Sequence, residues 1–454
     1  MVDEKDSESS TLLGRLKRYS GVSGGLAGLA LKGAGRWIGG TGPLDVANAR
    51  DLARLLGALR GPLMKGAQIA GGLPDVFPPE FAAELAKLQS NAPEMGAAFV
   101  RRRMAAELGR DWQTKFKSFE LTAAHAASLG QVHRAVAHDG RVLACKLQYP
   151  DMQSAVEADL TQLQAVLALQ RTAERKFDTR EIADEVAERI REELDYHREA
   201  ANMRLFGAML AGHERVVVPA PVEDLSTGRL LTMTWLDGTA FRQALADPQT
   251  DREEVARALF DAWWRPLYRF GAVHGDAHLG NYTVRADSGI NLLDFGCVRV
   301  FPPRVVEALV DLYRAQLNGD DALAAQAYAK WGFANVSDDL VSKMSLWAKL
   351  VFGPLLEDRV RTIGEGENLF AAGPQQIWAL KQRLREGSTM RPPREFVFIA
   401  RALVGIGAAM VHLNVKLNWH RMYEALIEGF DAAALAKRQA EAMRAAKLHL
   451  PQAP

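Results

Sequence analysis

The sequence predicts an α+β fold of two lobes, with a helical extension before them and a second lobe built mostly from helices. A length of 454 residues exceeds what a single hydrophobic core usually organises. The dipeptide Asp139-Gly140 separates two runs of alternating apolar residues, a pattern typical of a β-hairpin. Beyond residue 302, one segment after another carries apolar residues at helical spacing, which predicts a lobe of packed helices.

The charge of the chain is almost balanced, with 56 Lys and Arg residues against 55 Asp and Glu residues. A domain that binds nucleic acid is normally strongly basic, so nucleic acid is not expected as a partner. Cysteine occurs only at Cys145 and Cys297, and there is no CxxC pair. Neither a disulfide framework nor a structural zinc site is therefore predicted.

Membrane insertion is not predicted either. Residues 1–10 are acidic and polar and lack the basic and apolar regions of a signal peptide. Arg401 interrupts the most apolar stretch, 396–413, so we expect a buried core helix there rather than a membrane span. The protein is expected to lie in the cytoplasm, which is a reducing compartment. There it could be free or attached peripherally to the inner face of the membrane.

Helices are also predicted in the N-terminal region, ahead of the two lobes. Residues 11–43 contain no acid and repeat apolar residues at three- and four-residue steps. Two interpretations stay open: a basic amphipathic segment on an anionic membrane surface, or a helix packed on the rest of the protein. In the extension that follows, Lys65 and Gln68 are three positions apart and would share one helix face.

The loop 273–281 and the strand after it carry the strongest functional signal. Asp276 and Asn281 are five positions apart, and Asp294 begins an Asp-Phe-Gly sequence at the end of an apolar strand. In phosphoryl transfer of the protein-kinase type, one aspartate orients the nucleophile while an asparagine and a second aspartate hold magnesium. The sequence thus predicts catalysis by Asp276, Mg²⁺ binding by Asn281 and Asp294, and an atypical bilobal protein-kinase-like fold.

The first lobe contains the elements with which a kinase holds its nucleotide. The hairpin leads into a strand that carries Lys146, at the place where a kinase lysine grips the phosphates. Small residues at 126–128 replace the usual glycine-rich loop and still let the backbone approach phosphate. The segment 233–235 ends the next strand and is the expected adenine-binding hinge. The residues expected to contact the nucleotide are Ala126, Ala127, Ser128, Lys146, Met233 and Trp235.

A long helix is predicted over residues 178–210, with an apolar residue at every fourth position of its first half. On this helix Asp195 and Glu199 are four apart and share a face, whereas Glu193 points elsewhere. A kinase-like site needs one helix acid to pair with the strand lysine. Glu199 and Asp195 are both candidate partners for Lys146.

The chain beyond Gly296 reaches Pro302 and Pro303 almost at once and then enters a predicted helix. A protein kinase has a long activation segment and an Ala-Pro-Glu motif in this region, and these dock a peptide substrate. Neither is present in this sequence, so a protein substrate is not expected.

Together, these motifs resemble the UbiB family of atypical protein-kinase-like proteins, which are linked to coenzyme Q (ubiquinone) biosynthesis. The resemblance covers about residues 12–428, and its C-terminal part is similar to the mitochondrial-type branch. The matching positions are Lys65-Gly66-Ala67-Gln68, His125-Ala126-Ala127-Ser128, Lys146, Glu193-Leu194-Asp195, Glu199, the loop 274–281 and Asp294. The chain departs from the family pattern at three places. The glycine of the first motif is displaced to Gly66, His125 replaces an alanine, and both prolines of the family's catalytic loop are replaced in the loop 274–281.

The resemblance implies that Glu199 pairs with the strand lysine, and that the extension with Lys65 and Gln68 folds over the active site. There it would meet Glu193 and Asp195 as a regulatory contact that blocks peptide binding. It also implies ATP or ADP with Mg²⁺ as cofactors and an ATPase that supports coenzyme Q biosynthesis without phosphorylating proteins in trans. Quinone-biosynthesis proteins, lipid precursors and an anionic membrane surface are the candidate partners.

Two alternative functions stay open. One is a small-molecule phosphotransferase of the aminoglycoside/choline-kinase type, which uses a similar His-Gly-Asp loop. The other is a nucleotide-sensing scaffold without turnover. The predicted organisation has five parts: an N-terminal amphipathic segment (1–43), an extension (44–117), a kinase-like N-lobe (118–235), a kinase-like C-lobe (236–447) and a tail (448–454).

Overall fold

The computed structural model describes residues 95–448, except for 128, 150–151, 153–155, 158–187, 189–190, 277 and 367–392. Its helices are α1 (Ala97–Leu108), α2 (Tyr196–Met209), α3 (Phe241–Ala246), α4 (Arg252–Phe270), α5 (Pro303–Asn318), α6 (Asp321–Trp331), α7 (Asp338–Phe352), α8 (Arg394–Leu413), α9 (Trp419–Ile427) and α10 (Ala432–Ala445). Its strands are β1 (Ser118–Phe119), β2 (His125–Ala127), β3 (Gly130–Val136), β4 (Val142–Gln148), β5 (Val216–Val217), β6 (Leu230–Thr234), β7 (Thr239–Ala240), β8 (Ala272–His274), β9 (Tyr282–Val284), β10 (Ile290–Leu292), β11 (Val298–Val300), β12 (Arg361–Thr362) and β13 (Lys416–Leu417).

The first lobe is an antiparallel sheet in the order β1-β3-β4-β6, with β2 paired to β3. Strands β3 and β4 form the hairpin predicted around Asp139-Gly140. Gly130, at the start of β3, faces β4 so closely that a Cβ atom there would lie 2.2 Å from the carbonyl oxygen of Leu147. Glycine at this position therefore permits the tight pairing that continues to Lys146, which lies opposite Val132.

The helix predicted over residues 178–210 is not continuous in its described part. The chain turns at Leu194, and α2 begins at Tyr196 with Asp195 as its N-cap. The Asp195 carboxylate accepts a hydrogen bond from the backbone N–H of Arg198 at 3.0 Å. Aspartate is favoured at caps because it satisfies a free N–H of the first turn. The expectation that Asp195 and Glu199 share one face of a single helix is therefore wrong.

Helix α4 leads directly into the predicted catalytic loop. Its N-terminus is capped by Asp251, whose carboxylate accepts hydrogen bonds from the backbone N–H groups of Glu253 and Glu254. It ends at Gly271, where φ is 69°, a left-handed conformation that glycine adopts without strain. Strand β8 begins at the next residue, so the end of α4 determines where the loop starts.

Helices α4 to α10 form most of the second lobe and share one large hydrophobic core with α2 and strands β8 to β11. Helix α8, the segment that was expected to be a core helix, buries Ile399, Ile406 and Leu413 in this core. In the part of the chain that the structure describes, no helix combines the length and apolar character needed to cross a membrane. Both observations agree with the interpretation of 396–413 as a core helix.

Candidate active site

Lys146 on β4 joins two carboxylates that lie far apart in the sequence. Its Nζ atom donates to both carboxylate oxygens of Glu199, at 2.7 and 2.9 Å. The same ammonium donates to Oδ2 of Asp294 at 3.2 Å. Strand β4, helix α2 and the end of β10 thus meet at one side chain, which is the lysine–glutamate arrangement of an assembled kinase site.

Burial and charge set the protonation of this group in opposite directions. Burial raises the pKa of the Glu199 carboxyl to about 7, although the Lys146 ammonium opposes the rise. Burial also acts to raise the pKa of Asp294, but Lys146 and the backbone N–H of Gly296 outweigh it and hold that pKa well below its usual range. Burial acts to lower the pKa of Lys146, yet Asp294 and Glu199 raise it well above its ordinary value. Lys146 and Asp294 therefore stay charged at neutral pH.

The catalytic loop holds its two predicted residues against each other. The amide Nδ2 of Asn281 donates to Oδ2 of Asp276 at 2.9 Å, and the backbone N–H of His278 donates to Oδ1 at 3.2 Å. These two bonds orient the Asp276 carboxylate. They also leave the amide oxygen of Asn281 out of the Asp276 contact, so that oxygen can serve another ligand.

Two contacts join the loop to the Asp294 segment. The backbone N–H of Leu293 donates to the carbonyl oxygen of Asn281 at 3.0 Å. The Nε2 atom of His274, whose side chain is buried, is hydrogen-bonded to the backbone carbonyl of Asp294. The structure therefore brings Asp276, Asn281 and Asp294 into one connected site.

Carboxylate and amide oxygens are the donors that magnesium prefers in proteins, usually together with phosphate oxygens of the substrate. Asp294 supplies a carboxylate whose two oxygens each accept one protein hydrogen bond, from Lys146 and from Gly296. A carboxylate has about four acceptor sites, so coordination capacity remains on it. The donor set of Asn281 and Asp294 fits Mg²⁺, and their predicted roles stay predictions.

A cavity beside Lys146 receives Glu193 rather than Asp195. Its lining residues are Leu129, Lys146, Glu193, Tyr196, Glu199, Asp294 and Gly296. The turn at Leu194 is held by the side chain of Gln148, whose Nε2 donates to the Leu194 carbonyl at 2.7 Å. Asp195 is exposed and caps α2 instead. The expectation that Glu193 points away from the site is therefore wrong. The turn at Leu194 places Glu193 at the cavity and leaves Asp195 exposed to solvent.

Strand β2 and the end of β6 contain the other residues that were predicted to contact the nucleotide. Ala126 and Ala127 pair with Gln131 and Gly130 of β3. Met233 lies opposite Ala144 in the β4–β6 ladder and is buried. The ring of Trp235 stacks on His125, with centroids 6.0 Å apart and an angle of 21° between the planes. Ser128, Lys65 and Gln68, which were also predicted to contribute, lie outside the described residues.

Tyr196 is a site residue that the sequence interpretation missed. Its ring lies under the Lys146 ammonium, 5.3 Å from Nζ to the centroid, a distance typical of a cation–π contact. It is three positions before Glu199, so the two share a face of α2. That spacing was visible in the sequence and would have indicated a second α2 side chain in the site.

A sequence model of the ABC1 atypical kinase-like domain matches residues 87–328, which is more than half of the chain. The chain belongs to this family. The match confirms the resemblance to UbiB proteins and the predicted protein-kinase-like fold, and it identifies the chain as an atypical kinase of the ABC1 family.

The chain is similar to mitochondrial atypical kinases along most of its length. Atypical kinase coq-8 of Caenorhabditis elegans is 26% identical over 450 residues, which span 94% of this chain and 59% of that protein. Atypical kinase COQ8B of Rattus norvegicus is 26% identical over 439 residues, which span 93% of this chain and 82% of the rat protein. Rv3197 of Mycobacterium tuberculosis, whose structure was solved as a complex with erythromycin, is 28% identical with a TM-score of 0.59, and the match covers 84% of this chain and 96% of that chain.

Proposed function

We propose that this ABC1-family chain binds ATP or ADP with Mg²⁺ and transfers the terminal phosphoryl group of ATP to water or to a small lipid-like acceptor. The observation that carries the proposal is the Lys146 ammonium, which bridges Glu199 and Asp294 at 2.7 to 3.2 Å. In phosphoryl transfer this lysine contacts phosphates while the carboxylate beside it holds metal.

Each predicted residue has a role in this proposal. The adenine would lie against Met233 and Trp235, and the phosphates would lie under 126–128 beside Lys146. Asn281 and Asp294 would hold Mg²⁺, which neutralises the charge that develops on the transferred phosphoryl group. Asp276, oriented by the amide of Asn281, would accept the hydrogen bond of the attacking water or hydroxyl and position it in line.

The segment after Asp294 supports an acceptor other than a protein. Strand β11 begins at Val298 and helix α5 at Pro303, so all residues between Asp294 and α5 belong to a short, described connection. A peptide-docking segment needs considerably more chain at this point. The family resemblance adds a regulatory contact of Lys65 and Gln68 with Glu193 and Asp195 to this proposal.

The biological role that we propose is support of coenzyme Q biosynthesis, at or near a membrane surface. This part of the proposal is supported by the similarity to coq-8 and COQ8B. A small-molecule phosphotransferase is the second candidate. It is supported by the similarity to Rv3197, whose solved complex contains erythromycin.

The test is hydrolysis of ATP by the purified protein and by Asp276→Asn and Asp294→Asn variants. We expect both substitutions to lower the rate by about 100-fold or more, because each removes a charge that acts in the transition state. Asp339→Asn is the matched control, since Asp339 is an exposed surface aspartate that pairs with Lys343 within α7. Equal rates in all four proteins would refute the proposed catalytic site.

The same assay separates the candidate functions. Hydrolysis that rises with anionic liposomes or with a phenol similar to a quinone precursor would support the lipid-linked role. Phosphate incorporated into a soluble amino-alcohol or a macrolide would favour the second candidate and overturn the first. Nucleotide binding without any turnover would identify a sensing scaffold instead.

A further inference from the structure

The segment that contains Glu199 contacts the Asp294 segment on both sides of the Lys146 contact. Glu192 lies seven positions before Glu199, and Asn202 lies three positions after it. Both side chains are almost fully buried, at 7% and 4% exposure. Each forms a hydrogen bond to residues 294–299, and neither belongs to the motifs that carry the proposed chemistry.

Glu192 is held between two arginines from different elements. Its Oε2 atom accepts a hydrogen bond from Nη2 of Arg299, on β11, at 2.7 Å. Its Oε1 atom pairs with Nη1 of Arg198, in the first turn of α2, at 2.6 Å. A carboxylate bonded by two guanidinium groups in a buried setting is a strong and directional contact. Glu192 therefore links the start of α2 to the strand that follows Asp294.

Asn202 makes the corresponding contact from within α2. Its Nδ2 atom donates to the backbone carbonyl of Phe295 at 2.9 Å. That carbonyl belongs to the residue directly after Asp294, so the bond restrains the peptide next to the carboxylate. Because Asn202 and Glu199 are three apart on one helix, the same face of α2 restrains both Lys146 and the Asp294 segment.

We propose that Glu192 and Asn202 are positioning residues that hold the carboxylate of Asp294 where it binds Mg²⁺, one from each end of the 294–299 segment. The inference rests on the proposed function for the identity of the metal. In protein kinases the helix glutamate and the metal-binding aspartate must both be in place, and regulation moves them. In this chain buried hydrogen bonds from Glu192 and Asn202 restrain the 294–299 segment, and with it the carboxylate that would bind Mg²⁺.

Three variants remove these contacts while changing side-chain volume little. Glu192→Gln removes the charge that the two arginines share, and Asn202→Leu removes the donor to Phe295. Arg198→Gln is milder, since it leaves the Glu192–Arg299 bond in place and its side chain is 33% exposed. The control is Glu223→Gln. It removes the charge of Glu223, which pairs with Arg204 of α2 at 3.0 Å, and Glu223 itself is far from residues 294–299 in sequence.

The first measurement is hydrogen exchange of the backbone amides of residues 294–299 in the nucleotide-free protein. We expect exchange to be at least about 10-fold faster in Glu192→Gln and Asn202→Leu, intermediate in Arg198→Gln and unchanged in the control. Far-UV circular dichroism checks that each variant is folded. Exchange over 294–299 at the wild-type rate in a folded variant would overturn the positioning role.

The second measurement separates metal positioning from general damage. The affinity for a fluorescent ATP analogue is measured in EDTA and again during a titration with Mg²⁺. We expect the affinity in EDTA to stay within about 2-fold of the wild type, while the Mg²⁺ concentration for half-maximal binding rises about 10-fold, because the metal ligand Asp294 is displaced and the lysine is not. Equal losses in both conditions would indicate a structural role and contradict the inference. If the wild-type protein binds no nucleotide, the proposed function fails, and the exchange rates still decide whether Glu192 and Asn202 restrain the segment.

Discussion

Replacement of Lys146 by methionine tests whether the buried charges depend on each other as the structure indicates. Methionine keeps the length of the apolar stem and removes the ammonium. The Glu199 side chain, 1% exposed, would lose both of its hydrogen bonds from Lys146 and remain as a buried acid without its balancing ammonium. Asp294 would lose a longer contact of 3.2 Å, but its side chain is 35% exposed and water can compensate.

The expected loss in free energy of unfolding follows from these contacts. Removal of one partner from a buried ion pair costs about 3–5 kcal/mol, because the other charge stays without compensation. Since only Glu199 is deeply buried, we expect about 3 kcal/mol at pH 8, the lower end of that range. The double variant Lys146→Met/Glu199→Gln should regain most of this loss, since no unpaired charge is left.

The loss should also depend on pH. Burial raises the pKa of Glu199 above its ordinary value of 4.5, to about 7 in the wild type, and removal of Lys146 removes a group that opposes the rise. Between the unfolded and the folded pKa, the folded protein holds a proton that the unfolded chain has released, so stability falls as pH increases. The folded pKa of Glu199 should be higher in Lys146→Met than in the wild type, so the deficit should grow above about pH 7 and be larger at pH 8 than at pH 5.

The free energy of unfolding of each variant is measured by urea denaturation at pH 5 and pH 8, monitored by circular dichroism. Lys343→Met is the matched control, because Lys343 pairs with the exposed Asp339 at 2.8 Å and should contribute less than about 0.5 kcal/mol. A deficit that is the same at both pH values, or a double variant as unstable as the single one, would refute the account of Glu199 as an uncompensated buried acid.

Two further predictions concern the two cysteines and the glycine at the start of β3. Burial raises the pKa of the Cys145 thiol to about 12. Iodoacetamide at pH 8 should therefore modify the partly exposed Cys297 well before Cys145. Peptide mass spectrometry measures the two rates, and equal rates would contradict this prediction. Gly130→Ala would place a Cβ atom 2.2 Å from the carbonyl oxygen of Leu147 and should lower stability by about 3 kcal/mol, measured as the melting temperature. Gly207→Ala, in open space on α2, is its control and should raise stability by about 0.5–1 kcal/mol.

Much of the secondary structure could be predicted because its causes are local. The hairpin follows from Asp139-Gly140 between alternating runs, and the helices beyond residue 302 follow from apolar residues at helical spacing. Asp276, Asn281 and Asp294 could be selected as candidate site residues because their spacing is typical of one chemistry. Local pattern also misled in one place, since Asp195 has the spacing of a helix residue but caps the helix instead.

The sequence by itself determined that this chain has the lysine, the acids and the amide of a phosphoryl-transfer site, since these follow from residue type and spacing. Spacing alone left Asp195 and Glu199 as partners for Lys146, and the family resemblance favoured Glu199. The tertiary structure shows the Lys146–Glu199 contact, and it alone decided which acid lines the cavity beside it. Glu193, Asp195 and Glu199 all carry carboxyl groups, and a turn of a few residues at Leu194 separates their directions. The bonds from Glu192 to Arg299 and from Asn202 to Phe295 join residues 107 and 93 positions apart. Such partners are selected by packing of the whole lobe, because no local pattern links side chains at that separation.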